Sequence, residues 1–233
     1  MLTVDLGRLG VNRGDLVLDA GCGEGRHSLK LYESGAVVYS MDIDMESLRK
    51  ARYSLSLMGK TGKYPGGYFA LSGDALRLPY RDETFDLVIC SEVMEHVADD
   101  SLACSELSRV LKKNGRIAIT VPTYFSEAIY DALTCEYFTS PGGHIRKYMP
   151  KKLVKIMRSS GLEIYGLGFK HSFHTIWWMI RCVVGLHLND QPITSAYRKF
   201  LHLGLYSGFM RKAEKFFDNF FPKSLVVYAW KKP

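Results

Sequence analysis

Short apolar runs, bounded by glycine, proline or polar clusters, alternate along this chain with stretches whose apolar positions recur every three or four residues. "DLVLDA" (15–20), "AVVYSMD" (36–42), "GYFALSGD" (67–74), "TFDLVICS" (84–91) and "RIAITVP" (116–122) have the length and β-branched content of strands. Between them, "GRHSLKLYES" (25–34), "MESLRKARYSLSLM" (45–58, stopped by Gly59) and "SLACSELSRVLKK" (101–113, closed by Asn-Gly) carry helical periodicity. Apolar strands separated by helices predict a parallel sheet covered on both faces. "PKKLVKIMRSSG" (150–161) reads as a further helix, with proline at its start and glycine at its end. "LEIYGLGF" (162–169) and "SLVVYAWKK" (224–232) complete the strands.

An aromatic-rich segment, roughly 171–222, separates those last two strands. "HTIWWMIRCVVGLHL" and "AYRKFLHLGLYSGFMRKAEKFFDNFF" read as helices within it. In the second, Tyr197, Leu201, Leu205, Phe209, Ala213, Phe216 and Phe220 recur at helical spacing, with Lys and Arg on the other face. Such helices suit a greasy pocket, a membrane surface or plain packing on the sheet. The expected organisation is a single domain, 1–233, with 171–222 as a helical cap inserted before the last strand.

Composition narrows the class. At 233 residues with 47% hydrophobic and 24% charged residues, the chain is of globular type. No run suits a membrane span, and the N-terminus lacks a basic region followed by an apolar core, so a cytoplasmic protein is expected. Cys22, Cys90, Cys104, Cys135 and Cys182 form no CxxC or zinc-type spacing, which points to reduced core thiols. The net charge of +7 is uneven: 15 Lys+Arg against 17 Asp+Glu in residues 1–120, and 16 against 7 in 121–233. A basic half suits an anionic surface, RNA or an anionic substrate equally well.

The loop "VLDAGCGEGRHS" joins the first strand to the first helix. Its glycines allow close backbone approach to a ligand. Gly21, Gly23 and Gly25 are spaced G-x-G-x-G, so the dinucleotide fingerprint G-x-G-x-x-G is not met. Asp42 ends the second strand, where a carboxylate can accept both hydroxyls of a ribose; Asp44 is better placed to cap the following helix. Asp74 ends the third strand, where it can accept from an exocyclic amine. In "SEVMEHV" (91–97), Glu92, Glu95 and His96 share a face if the segment is helical.

Taken in order, "VLDAGCGEGRH", "MDID", "GDALRLPY", "FDLVICSEVMEHV" and "LKKNGRIAITVP" resemble the class I S-adenosylmethionine-dependent methyltransferases, closely over residues 10–125. "GGHIRKYMPKKLVKIMRSSGLEI" continues the likeness toward the subgroup that includes quinone-biosynthesis O-methyltransferases. The resemblance implies an α/β, Rossmann-like, mostly parallel seven-stranded sheet in the order 3-2-1-4-5-7-6, with helices on both faces. It implies S-adenosylmethionine as cofactor and S-adenosylhomocysteine as product. Asp19, Gly21, Cys22 and Gly23 would lie under the methionine part, with Glu24, Gly25, Arg26 and His27 beside it. Asp42 would hold the ribose, with Ile43 against the adenine. Asp74, next to Ala75, would take the adenine amine. Ser91 would offer its carbonyl to the ammonium, with Glu92 beside it.

The resemblance also frames the acceptor. Enzymes that methylate nucleobase amines commonly carry an Asn/Asp-Pro-Pro-aromatic motif after the fourth strand; "SEVMEH" stands there instead, which argues against nucleic acid. In the quinone subgroup the matching Glu-x-x-Glu-His is associated with a divalent metal, which here would fall on Glu92, Glu95 and His96. The competing reading makes His96 a pocket wall or a base. His144 in "GGHIRKY" is the second catalytic candidate, weighed against a loop-fixing hydrogen bond. Tyr124 could also face the acceptor. Relatives commonly cap the pocket with helices ahead of the first strand, and segment 171–222 is expected to serve instead. The expected acceptor is a small, lipophilic molecule, apolar or prenylated, with O-methylation favoured over C-methylation and peripheral membrane contact through 171–222. The rivals are an RNA or protein methyltransferase and a silent cofactor-binding module.

Overall fold

A computed structural model describes residues 2–134, 143–185, 191–204 and 207–233. A seven-stranded sheet organises them, in the order β3-β2-β1-β4-β5-β7-β6. The strands are β1 (Leu16–Ala20), β2 (Val37–Asp42), β3 (Tyr68–Ser72), β4 (Phe85–Ser91), β5 (Leu111–Pro122), β6 (Leu162–Lys170) and β7 (Ser224–Lys231). The five strands from β3 to β5 are parallel, and β7 runs antiparallel to both β5 and β6. This is the expected order and sense.

Helices cover both faces. On one side, α1 (Leu6–Leu9), α2 (Arg26–Glu33) and α3 (Met45–Lys60) bury Leu9, Leu31, Tyr32 and Leu55 against Val17, Val38 and Ile89. On the other, α4 (Asp100–Val110) and α6 (Pro150–Ser159) bury Ala103, Leu107, Leu153 and Met157 against Leu18, Val88 and Ile117. β1, β2 and β4 are apolar on both faces because both faces are covered. Helix α5 (Tyr124–Leu133) follows β5 directly, capped by Thr123.

Several boundaries differ from the sequence reading. Helix α3 runs through Gly59 to Lys60, since an isolated glycine weakens a helix without ending it. Helix α4 stops at Val110, and the Asn-Gly pair sits in a register shift of the long β5, with Asn114 at φ 62°. The third strand ends at Ser72, so Asp74 lies beyond it, in a bridge with Arg77. The segment read as one helix over 196–221 holds α8 (Pro192–Gly204) and α9 (Gly208–Phe217), preceded by α7 (Ser172–Val184). Leu205, residues 186–188 of the other helix, Gly142 and Cys135 lie outside the described residues. Cys22, Cys90, Cys104 and Cys182 are buried free thiols. Among the described residues, no helix is long and apolar enough to cross a membrane.

"SEVMEHV" is not helical. It is a turn that leaves β4, with Glu92 at φ 57° and the His96 N–H donating to the Val93 carbonyl. Buried Tyr148 fixes it: its Oη lies 3.0 Å from the Met94 carbonyl oxygen and 2.8 Å from Asp100 Oδ2. Asp100 also accepts from Arg146 Nη1 at 2.9 Å, so removing the hydroxyl costs chiefly the hydrogen bond to the Met94 carbonyl. Tyr148→Phe should therefore lower stability by about 1–2 kcal/mol in urea unfolding; an unchanged midpoint would show that the turn holds itself.

Candidate active site

The parallel strands stop together at one edge of the sheet, and a cavity of about 880 Å³ opens there. Its walls include Gly21, Cys22, Gly23, Glu24, Arg26 and His27 from the first loop, Asp42 and Ile43 after β2, Asp74 and Ala75 after β3, and Ser91, Glu92 and His96 after β4. Such an edge, outside the carboxyl ends of parallel strands, is where open α/β sheets bind ligands. Of the residues assigned to the cofactor, Asp19 and Gly25 lie behind this wall rather than on it. Gly25 caps α2 in the left-handed conformation, φ 86°, and a Cβ there would stand 2.9 Å from that of Ala51. It sets the α2–α3 approach.

The loop's amides are spent inside the protein. Gly21 and Cys22 N–H both donate to the Met41 carbonyl, at 2.7 and 3.0 Å, and Gly25 N–H donates to the Cys22 carbonyl. Gly23 N–H donates to Asp42 Oδ2 at 2.7 Å. In a dinucleotide site such amides would face a pyrophosphate. The groups turned to this cavity are instead carboxylates: Asp42, Asp74 and Glu92, with Asp19 behind them. The arrangement suits a ligand carrying positive charge and donor groups.

Each acid is held differently. Asp42 Oδ1 accepts from the Asp44 N–H at 2.8 Å, while Asp44 caps α3 by accepting from Glu46 and Ser47. Asp74 accepts from the Leu76 N–H at 2.9 Å. Glu92 accepts from Thr120 Oγ1 at 3.0 Å and from Lys223 Nζ at 2.9 Å. Burial opposes its charge, but Lys223, Thr120 and Arg26 together hold it below the usual carboxylate range. Asp19 is wholly buried, accepts from Ser28 Oγ at 2.6 Å through one oxygen and leaves the other without a partner. Burial pushes its pKa up to about 6. An orphaned buried carboxylate oxygen beneath the loop fits a cationic ligand above it.

The two histidine candidates meet. The rings of His96 and His144 are 4.7 Å apart, edge to face. His144 Nδ1 makes a short contact with Oε1 of Glu127, a carboxylate fully buried in the first turn of α5. Glu95 is also fully buried with both oxygens unpartnered, and burial followed by the Glu92 charge raises its pKa far above normal. A ligand atom from each of Glu95, His96 and His144 lies within 4.8 Å of the others. The trio with metal-ligand geometry is therefore Glu95, His96 and His144. Glu92, in the trio proposed from sequence, is drawn away by its ion pair with Lys223. Tyr124 is half-exposed, and its backbone N–H donates to the Tyr148 carbonyl.

Lys223 and Glu127 were not among the sequence candidates. Lys223 stands 131 positions from Glu92, and nothing local marks it. Glu127 reads only as a first-turn acid. A second cavity, about 340 Å³, lies under the helical segment and is lined by Ile129, Phe173, Ile176, Met179, Phe217 and Phe221, among others. Trp177 and Trp178 are half-buried, and Phe216 and Phe217 are exposed, so these side chains do not pack against the sheet.

Comparison with known proteins finds a matching domain family and fold. Residues 18–119 match the methyltransferase domain family. A demethylmenaquinone methyltransferase of Thermobifida fusca is 37% identical over 106 residues, 46% of this chain and 43% of that protein. A ubiquinone biosynthesis O-methyltransferase of Aromatoleum aromaticum is 28% identical over 156 residues, 64% of each. The chain thus spans about half the length of such relatives. A SAM-dependent methyltransferase of Methanosarcina mazei shares the fold, with TM-score 0.67 at 18% identity over 100% of this chain and 99% of that one. The resemblance read from the sequence motifs is borne out by both domain and fold.

Asp19 generates a pH prediction. Its folded pKa of about 6 exceeds the unfolded 3.8, so the folded state holds the proton more tightly, and its contribution to stability is lost as pH rises between those values. Asp19→Asn does not titrate. Its stability relative to the parent should grow by up to about 3 kcal/mol from pH 4 to pH 6 and then level off. Urea unfolding across that range checks this, and a difference independent of pH would reject it.

Proposed function

We propose that this chain, a class I S-adenosylmethionine-dependent methyltransferase by domain and fold, transfers a methyl group to a small lipophilic acceptor. The observation that carries the cofactor half is the carboxylate-lined cavity beside a glycine loop whose amides are already satisfied. Asp42 would accept from the ribose hydroxyls and Asp74 from the adenine amine. Ile43, 72% exposed on the rim, would lie against the base. Ser91, whose backbone ends β4, would receive the ammonium through its carbonyl, and the buried Asp19 charge would favour that cation from below.

The cofactor supplies an activated sulfonium-bound methyl group. The protein then has to align the acceptor, exclude water and take up a proton where the acceptor is a hydroxyl. His96 lines the cavity, and the His144 ring stands 4.7 Å from it. Glu127 orients His144 through Nδ1, leaving Nε2 as the atom that would accept the proton. Where the acceptor is a hydroxyl, its oxygen would take the methyl group as the C–S bond breaks with its electrons staying on sulfur, and its proton would pass to that nitrogen while the O–H pair stays on oxygen. A divalent ion on Glu95, His96 and His144 is the alternative use of the same groups, orienting an oxygen pair.

The acceptor half rests on the helical segment. Its apolar cavity and exposed Phe209, Phe216 and Phe220, interleaved with Arg211, Lys212 and Lys215, suit a lipophilic molecule drawn from an anionic membrane surface. The quinone enzymes among the relatives act on molecules of that kind by their names.

Calorimetry should detect S-adenosylhomocysteine binding, and Asp42→Ala should weaken it at least tenfold, about 1.4 kcal/mol. No binding by the parent chain would sink the cofactor assignment. With labelled cofactor and fractionated cell extract, label should enter the lipid-soluble fraction. Label confined to RNA or protein would overturn the acceptor class. If the ion alternative holds, a chelator abolishes the transfer; full activity in the chelator assigns His96 and His144 to proton transfer.

A further inference from the structure

A second group of metal-ligating side chains lies away from the histidine pair described above. His171 precedes α7, His174 is in its first turn, and Glu214 is in α9. A ligand atom from each lies within 4.8 Å of the others. His171 and Glu214 are each only 5% exposed. The Nδ1 atoms of both histidines and Oε1 of Glu214 are buried with no hydrogen-bond partner. Unsatisfied polar atoms on three side chains that meet in one place are costly unless something occupies it.

We propose that His171, His174 and Glu214 bind a divalent transition-metal ion of the zinc class, clamping α9 onto the start of α7. Two imidazoles and one carboxylate form a common zinc donor set, and a tetrahedral ion leaves a fourth position for water. Ligands at about 2.1 Å from such an ion stand about 3.4 Å apart, so side-chain rotations close the present spacing.

The surroundings support the assignment. Burial, then the nearby positive charges of Lys223 and Arg26, keeps His171 far below its usual pKa, and burial holds His174 at about 4. His171 Nε2 is 3.0 Å from Thr3 Oγ1, which also accepts from Arg26 at 3.1 Å. A threonine hydroxyl can take both donors, and an Nε2–H bonded to it directs Nδ1 to the metal, the usual support for a ligating histidine. Asp218 adds a second carboxylate on the same side, accepting from the Ser172 N–H at 2.9 Å. It offsets the cations Lys170, Lys223 and Arg26; Lys223 is itself paired with Glu92.

The inference is independent of methyl transfer. It is tested on the full chain, stripped with chelator, by titrating zinc(II) in a calorimeter and cobalt(II) by its visible absorption. One ion per chain is expected, with a raised unfolding midpoint in zinc. His174→Ala and the near-isosteric Glu214→Gln should each weaken binding at least tenfold, and Thr3→Val should weaken it by about tenfold or more. Metal-free circular dichroism melts verify that the variants are folded. Equal affinity in parent and both ligand variants, whether measurable or absent, overturns the proposal. So does binding that survives in those variants and disappears in His144→Ala, which would assign the ion to the other histidine cluster.

Discussion

The hydrogen bond from the Gly23 N–H to the Asp42 carboxylate ties the two halves of the candidate cofactor site together. It exists because β1 and β2 run in parallel register, with Ala20 opposite Met41, so both strands release their chains at the same level. The loop then folds back onto β2 through the Met41 carbonyl. Gly21 makes this fit: it sits at φ 72°, and a Cβ there would lie 2.1 Å from Val93 Cγ2 in the turn after β4. One glycine thus lets three strand ends converge on a single ligand volume, with the acids Asp42 and Glu92 among the side chains that face it.

The second convergence is electrostatic. Glu92 leaves β4 in a left-handed conformation, a costly geometry for a residue other than glycine. It is held there by its own N–H on the Thr120 carbonyl and by Thr120 and Lys223 on its carboxylate. Burial, with this charge beside it, raises the pKa of neighbouring Glu95 well above normal. Glu92 and Glu95, three residues apart and identical in type, therefore shift in opposite directions and differ in role. The sequence offers no way to see that.

The sheet was readable because its strands are buried on both faces and declare themselves as apolar runs such as "LVICS" and "IAITV". The convergence of the candidate residues on one cavity was readable for a related reason: they sit at strand ends, where motif order and spacing carry position. Asp44 was recognisable as a cap from its place before the helix. The "SEVMEHV" stretch was left open, because helical spacing of Glu and His was not backed by a flanking cap. Tyr148, some fifty residues on, decides its shape instead. The helical segment was half legible. Its aromatic periodicity marked helices, but α9 buries Glu214 and Asp218 while Phe209 and Phe216 face outward. Periodicity reports that a face exists and leaves open whether that face turns inward.

Lys170 pairs with Ser224 across β6 and β7, and the Lys223 N–H returns to the Lys170 carbonyl at 3.0 Å. The helical segment therefore leaves the sheet and rejoins it at adjacent points. Closing a longer or shorter excursion between two such points changes the chain entropy only logarithmically. This is a cassette position: helices of other lengths and surfaces can be exchanged there without disturbing strand register or the carboxylates at the strand ends. Evolution, or an engineer, can alter the surface these helices present while inheriting the carboxylate-lined cavity, provided that the residue closing the cassette still reaches Glu92.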